Sequence, residues 1–222
     1  MYKPQNFSYN KINKTQRSVK MIDKSVEDLN LILCKTDTTN YPKCTLPEGY
    51  SFAFYKPGDE YKWAALEVEI GQFKDIEKAA QAFRNDFLIN QNLKPEDRTV
   101  FVVDPNGDYV ATLSLWDGTF LGEYHQRLHW MAVSDRCTGK GIAKALMTRL
   151  LDLYNELGYK DFIFLGTETW YYPAISIYRK FGFTEYTGKT SVVQGLSDEE
   201  FKVYNERAIK IVNEKIGEYK RG

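Results

Sequence analysis

Cysteine and histidine are scarce in this chain, with three cysteines and two histidines in 222 residues. Cys34, Cys44 and Cys137 lie far apart, which excludes a disulfide framework, and with two histidines they do not make a zinc site. No metal is expected. Excess charge is lacking too, since Lys plus Arg and Asp plus Glu each number 30. A balanced chain without a basic stripe has no electrostatic claim on nucleic acid or on an anionic membrane. Nothing approaches the ~20 apolar residues of a membrane span, and the polar N-terminus lacks a signal-peptide core. These absences read as a soluble, cytoplasmic protein.

What is present is a core. Hydrophobic residues make up 43% of the chain, enough for one generous domain at this length. The most informative stretch is 128–157. Residues 128–133 (LHWMAV) form an apolar run that predicts a strand. Ile142, Leu146, Leu150, Leu153 and Leu157 then recur at three- or four-residue steps, with Ala143, Met147, Leu151 and Tyr154 widening the stripe. That is an amphipathic helix, ended by Gly158. Strand and helix are joined by Arg136-Cys137-Thr138-Gly139-Lys140-Gly141. The first N–H groups of a helix have no internal partners, and glycine lets a bound group approach the backbone. Such a junction cradles a pyrophosphate, with Arg136 and Lys140 adding positive charge. It is not a Walker loop, because Gly139-Lys140 is followed by Gly141. Nor is it a dinucleotide fingerprint, because Lys144 stands where a third small residue is needed.

This sequence resembles the GNAT superfamily of acyl-CoA-dependent N-acyltransferases. Arg136, Gly139 and Gly141 match the family's pyrophosphate loop, Gln/Arg-x-x-Gly-x-Gly/Ala. Residues 173–183 (PAISIYRKFGF) match its second signature, a short helix ending in Tyr and followed by Gly-Phe. The resemblance covers roughly residues 46–186. It implies an α/β (α+β) fold with a mixed, mostly antiparallel sheet, helices on both faces, and two parallel strands splayed apart at the acyl-CoA site.

The rest of the chain accommodates that plan. Residues 1–45 read as a polar arm with a short strand at 29–34, and 50–55 as the first strand of the core. Asp59 and Asp75 are candidate caps of two helices reaching about Ile70 and Asn90. Residues 99–104 and 109–116 are strands around Pro105-Asn106-Gly107-Asp108, a hairpin signal in which both Asn and Gly tolerate positive φ. A further strand is expected at 162–165. Beyond 187, Ser197 and Glu200 form a capping box, and Tyr204, Ala208 and Ile216 continue one helical face. That helix packs either on its own domain or across a homodimer.

The resemblance also implies the chemistry. Acetyl-CoA serves as co-substrate, bound by the loop from Arg136 through Cys137, Thr138, Gly139, Lys140, Gly141 and Ile142 to Ala143. Backbone groups of Met131, Ala132 and Val133 hold the pantetheine arm and polarise the acyl carbonyl. Tyr178 occupies the position of the family's tyrosine, proposed to protonate the departing thiolate. His129 lies four residues before Val133, where some members carry the base, and strand alternation places it on the face of Met131 and Val133. Arg127, at the six-residue offset, is no base; His125 and Glu123 are further candidates. Tyr171 stands where many members have a pantetheine-touching asparagine, and by position belongs to the cofactor channel. Two functions compete: an acetyl-CoA-dependent N-acetyltransferase acting on a small-molecule or peptide amine, and an acyl-CoA-binding sensor without catalysis. The acceptor has no motif.

Overall fold

The structure, a computed structural model, describes residues 22–89, 93–188 and 195–219. Most of the N-terminal arm (1–21) and Asn90 therefore lie outside the described residues. Among the described residues seven strands form one sheet: β1 (Asn30–Lys35), β2 (Ser51–Phe54), β3 (Thr99–Val103), β4 (Tyr109–Phe120), β5 (Glu123–Val133), β6 (Ile163–Glu168) and β7 (Thr184–Glu185). Their order is β2-β3-β4-β5-β6-β1-β7. Only β5 and β6 run parallel; every other pair is antiparallel. The mixed, mostly antiparallel sheet expected from the resemblance is the sheet observed.

Helices cover both faces. Helices α1 (Glu60–Glu69) and α2 (Ile76–Phe83), with the π-helical turn Arg84–Leu88 after α2, bury Trp63, Ala64, Phe83 and Phe87 against Phe101 and Trp116. A short helix, α3 (Pro95–Arg98), leads into β3. On the other face lie α4 (Ile142–Glu156), α5 (Tyr172–Lys180) and α6 (Asp198–Tyr219), around Leu146, Leu150, Ile175, Ala208 and Val212. The apolar stripe of α4 is the buried one, although Leu157 at its end is exposed. Ser197 and Glu200 do form a reciprocal capping box: the Ser197 N–H donates to Glu200 Oε2 at 2.8 Å, and the Glu200 N–H to Ser197 Oγ at 3.3 Å. Buried Phe201, Ala208 and Val212 seat α6 on its own domain.

Local chemistry departs from expectation in three places. Asp75 caps α2 through the Lys78 N–H at 2.9 Å, whereas Asp59 accepts from the Lys56 N–H instead of capping α1. In the β3–β4 turn only Gly107 takes a positive φ (86°); Asn106 does not. Strands β4 and β5 are longer than read, because Leu121 (φ 54°) and Gly122 (φ 86°) close a two-residue hairpin. Leucine carries no signal for that conformation.

Strand β1 is inserted between β6 and β7, pairing with β6 over six residues, Asn30↔Glu168 to Lys35↔Ile163. Its Leu31 and Leu33 are buried in the main core. Leu33→Ala should therefore lower unfolding free energy by about 2–5 kcal/mol in chemical denaturation, as a core truncation does. A loss under about 0.5 kcal/mol would make β1 a surface strand.

Candidate active site

The site is where β5 and β6 part. They share a single parallel register pair, Arg127↔Phe164, and then diverge. A strand edge without a neighbour leaves its backbone N–H and C=O groups open to a ligand. From Leu128 onward β5 offers such an edge to the gap. The gap opens into two cavities walled by β5 and α5. The first, about 240 Å³, is bordered by Arg127, His129, Trp130, Met131, Glu168 and Tyr171, with Glu67 from α1 and Tyr178 from α5. The second, about 270 Å³, is bordered by Val133, Cys137, Thr138, Gly139, Gly141, Ile142 and Ala143, with Lys144 and Lys180 beside them.

The second cavity holds the glycine loop. After a turn of 3-10 helix at Asp135–Cys137, Gly139 and Gly141 take φ of 81° and 82°, a region that side chains with a Cβ rarely adopt. A Cβ at either position would meet no protein atom within 4 Å, so open space lies where a ligand would approach the backbone. The cations differ from expectation. Arg136 pairs with Asp108 at 3.1 Å, and Lys140 Nζ donates to Tyr50 Oη at 2.9 Å; neither borders the cavity. Lys144 and Lys180 do, and sequence reading assigned neither a role. Cys137 is buried, and Ala132 is enclosed on the opposite face of β5.

The first cavity is shaped by a bulge. Ala132 pairs with Thr112 and His129 with Ser114, so Trp130 and Met131 together stand opposite Leu113. Trp130 sits at φ 50°, a strained value for a bulky residue. A bulge re-aims side chains, and this one breaks the alternation on which the placement of His129 rested. His129 lies on the α1–α2 face, against Phe87, while Met131 and Val133 pack with the other core. His129 therefore does not share a face with Met131 and Val133, contrary to what strand alternation predicts. Asp86, on the π-helical turn Arg84–Leu88 that continues α2, holds the bulge. Its Oδ2 accepts from Trp130 Nε1 at 2.7 Å and lies 3.2 Å from His129 Nε2. The His129 bond keeps Asp86 below the usual carboxylate range. Burial pushes the His129 pKa down, with Arg127 adding to the shift, so the ring is neutral at neutral pH.

Tyr178 is buried beside Phe183, and among the described residues its hydroxyl makes no hydrogen bond. Burial raises its pKa, so the phenol stays protonated. Tyr171 lines this first cavity, not the one at the loop, and its hydroxyl donates to Gln72 Oε1 across the cavity mouth. His125 bonds Asp161 at 2.8 Å and packs its ring at a tilt against Phe162, near the exposed Glu123; neither borders either cavity, and both drop out as candidates. The residue that sequence reading missed is Glu67. It is 1% exposed, its Oε1 has no hydrogen-bond partner, and burial pushes its pKa up to about 8. Its signal was its place four residues after Trp63 on the buried stripe of α1.

A mixed sheet with a glycine loop at the mouth of two parting parallel strands is the architecture of an acyltransferase. The family model described as Acetyltransferase (GNAT) family matches residues 60–183, more than half of the chain, and the chain belongs to that family. Solved structures share the fold. A GCN5-related N-acetyltransferase from Sphaerobacter thermophilus aligns at TM-score 0.55 and 20% identity, over 72% of this chain and 49% of that one. A GNAT-family acetyltransferase from Colwellia psychrerythraea aligns at 0.53 and 17%, over 72% and 53%. A tandem GNAT protein from the clavulanic acid biosynthesis pathway aligns at 0.52 and 16%, over 72% and 50%. The chain thus spans about half the length of these structures. No curated protein matches it.

Asp86→Ala would leave Trp130 in a strained backbone without its anchor. The expected result is a loss of about 1–3 kcal/mol of stability with a shift in tryptophan emission. Unchanged emission would mean that the bulge holds itself.

Proposed function

We propose that the protein transfers an acetyl group from acetyl-CoA to a primary amine of a small molecule or peptide, by direct attack while both substrates are bound. One observation carries the reading: the glycine loop and the cavity holding Tyr178 and Glu67 are two ends of one gap along β5. Gly139, Gly141 and the first turn of α4 would hold the pyrophosphate, with Lys144 and Lys180 adding charge and Arg136 and Lys140 at the rim. The open edge of β5 near Met131 and Val133 would hold the pantetheine arm and supply the oxyanion donor. When bound, acetyl-CoA supplies the activated thioester. Tyr178 keeps a proton ready for the departing thiolate, because burial holds the phenol neutral. Glu67 Oε1 accepts the proton of the amine; a carboxylate with a pKa of about 8 is strong enough for that and partly ionised near neutrality. His129, engaged at Nε2 by Asp86 and Arg127, borders the acceptor as a neutral ring.

Tyr178→Phe should cut kcat at least tenfold while calorimetry finds acetyl-CoA affinity unchanged. Retained turnover removes its acid role, and binding without turnover in the wild type restores the sensor reading.

The pH profile tests Glu67 separately. Its pKa is raised and its basic form acts, so kcat/KM should climb as pH rises toward about 8. Glu67→Gln should lower kcat/KM by about 10²–10⁴-fold, the usual worth of a positioned base, and erase that limb. A variant that keeps the limb would assign the proton transfer elsewhere.

A further inference from the structure

We infer that the acceptor is a primary amine that carries its own carboxylate a few bonds away, an amino-acid-like molecule, and that Arg127 binds that carboxylate. The inference rests on the amine-transfer reading and narrows its substrate class.

Arg127 lies on β5 at the last point where β5 and β6 pair, and it borders the cavity that also holds Glu67 and Tyr178. Its side chain crosses Gly118, where an added Cβ would come within 2.7 Å of Arg127 Cδ. A residue larger than glycine at 118 would displace the arginine, so the chain leaves it room. The guanidinium is half-buried, and burial pulls its pKa down. A desolvated cation ordinarily has a carboxylate beside it. Among the described residues none stands within ion-pair distance of Arg127: Asp86 and Asp117 act on it only from farther away, and Asp86 is turned to Trp130 and His129. One NH₂ group lies 3.2 Å from His129 Nε2, a neutral ring, and Nε is buried with no partner. Of its five N–H donors, most are therefore unspent on protein. A planar fork of that kind suits a carboxylate, which takes two parallel hydrogen bonds.

Scale agrees with a small zwitterion. One guanidinium nitrogen reaches the His129 ring, and Arg127 and Glu67 border the same cavity, so both ends of one small molecule can lie within it. A cavity of about 240 Å³ lies just under the ~300–1,000 Å³ usual for small-molecule pockets, too small for a folded protein surface to fill. A purely cationic amine would add a second positive charge beside Arg127, whereas an amine with a carboxylate brings a direct partner for the fork with it.

The test compares matched acceptors in thiol-release kinetics: alanine, phenylalanine and lysine, each against its amide and its decarboxylated amine. With wild type, kcat/KM should favour the carboxylate member by at least tenfold in one series. In R127Q that ratio should fall to near one, and R127K, which keeps the charge without the fork, should lie between. Melting curves and acetyl-CoA titrations of both variants accompany the kinetics. Transfer that ignores the carboxylate, or a ratio that survives in R127Q, overturns the inference alone. Acetyl-CoA binding with no transfer to any member overturns it together with the amine-transfer reading.

Discussion

The proposed site depends on β5 and β6 ceasing to pair after one bridge, Arg127↔Phe164. Buried backbone groups are nearly always hydrogen-bonded, so two parallel neighbours that separate inside a protein are costly unless something else takes up their edges. Here the cost is contained from both sides. Strand β6 has a complete partner in β1 over six residues, and β5 has one in β4 over its whole length. Each strand is fixed by its outer neighbour, so the inner edges can stay open. Strand β1 thereby matters to the site without touching it.

The second constraint is the bulge at Trp130. A strand of strict alternation would have placed His129 on the face of Met131 and left only Trp130 of the two toward α1 and α2. One extra residue in β5 turns both toward α1 and α2, where Asp86 fastens them. Asp86 reaches them because α2 loosens into a π-helical turn at Arg84–Leu88. Such single-turn insertions cluster at functional sites. Two local irregularities, one in a strand and one in a helix, therefore face each other across the same few ångströms and explain one another.

How much of this was legible follows from what periodicity can encode. The loop and helix from Arg136 to Leu157 were readable because glycine at a helix start and apolar residues at 3.6-residue spacing each have one ordinary cause. Strand β1 was readable as a strand, but not its place between β6 and β7, because pairing partners leave no mark on a single segment. The face of His129 was misread because one inserted residue inverts a period of two, and nothing in LHWMAV announces it. Leu121 closes a hairpin at positive φ against its own preference, so the extension of β4 and β5 was hidden as well. Tyr171 was placed by motif position alone, and its hydroxyl instead reaches Gln72 over the first cavity. Glu67 was passed over because one charged residue on an apolar stripe looks like noise until burial is known.

Glu67 and Arg127 share a cavity, yet their burial has opposite meanings. Burial of Glu67 stores a proton: below about pH 8 the carboxyl is neutral, and its missing partner costs little. From pH 4.5, where the unfolded chain's carboxyl ionises, up to about 8, where the folded one does, the folded state holds a proton that the unfolded chain has lost. This group therefore makes the protein progressively less stable as pH rises across that window and adds nothing further above it. Arg127 has no such escape, because a guanidinium remains charged at any pH a protein experiences. Near neutrality, then, Arg127 is the steady charge of the cavity and Glu67 the variable one. An incoming group that neutralised the first and surrendered a proton to the second would satisfy both, so the buried carboxyl and the half-buried guanidinium would act as complementary ends of one recognition surface.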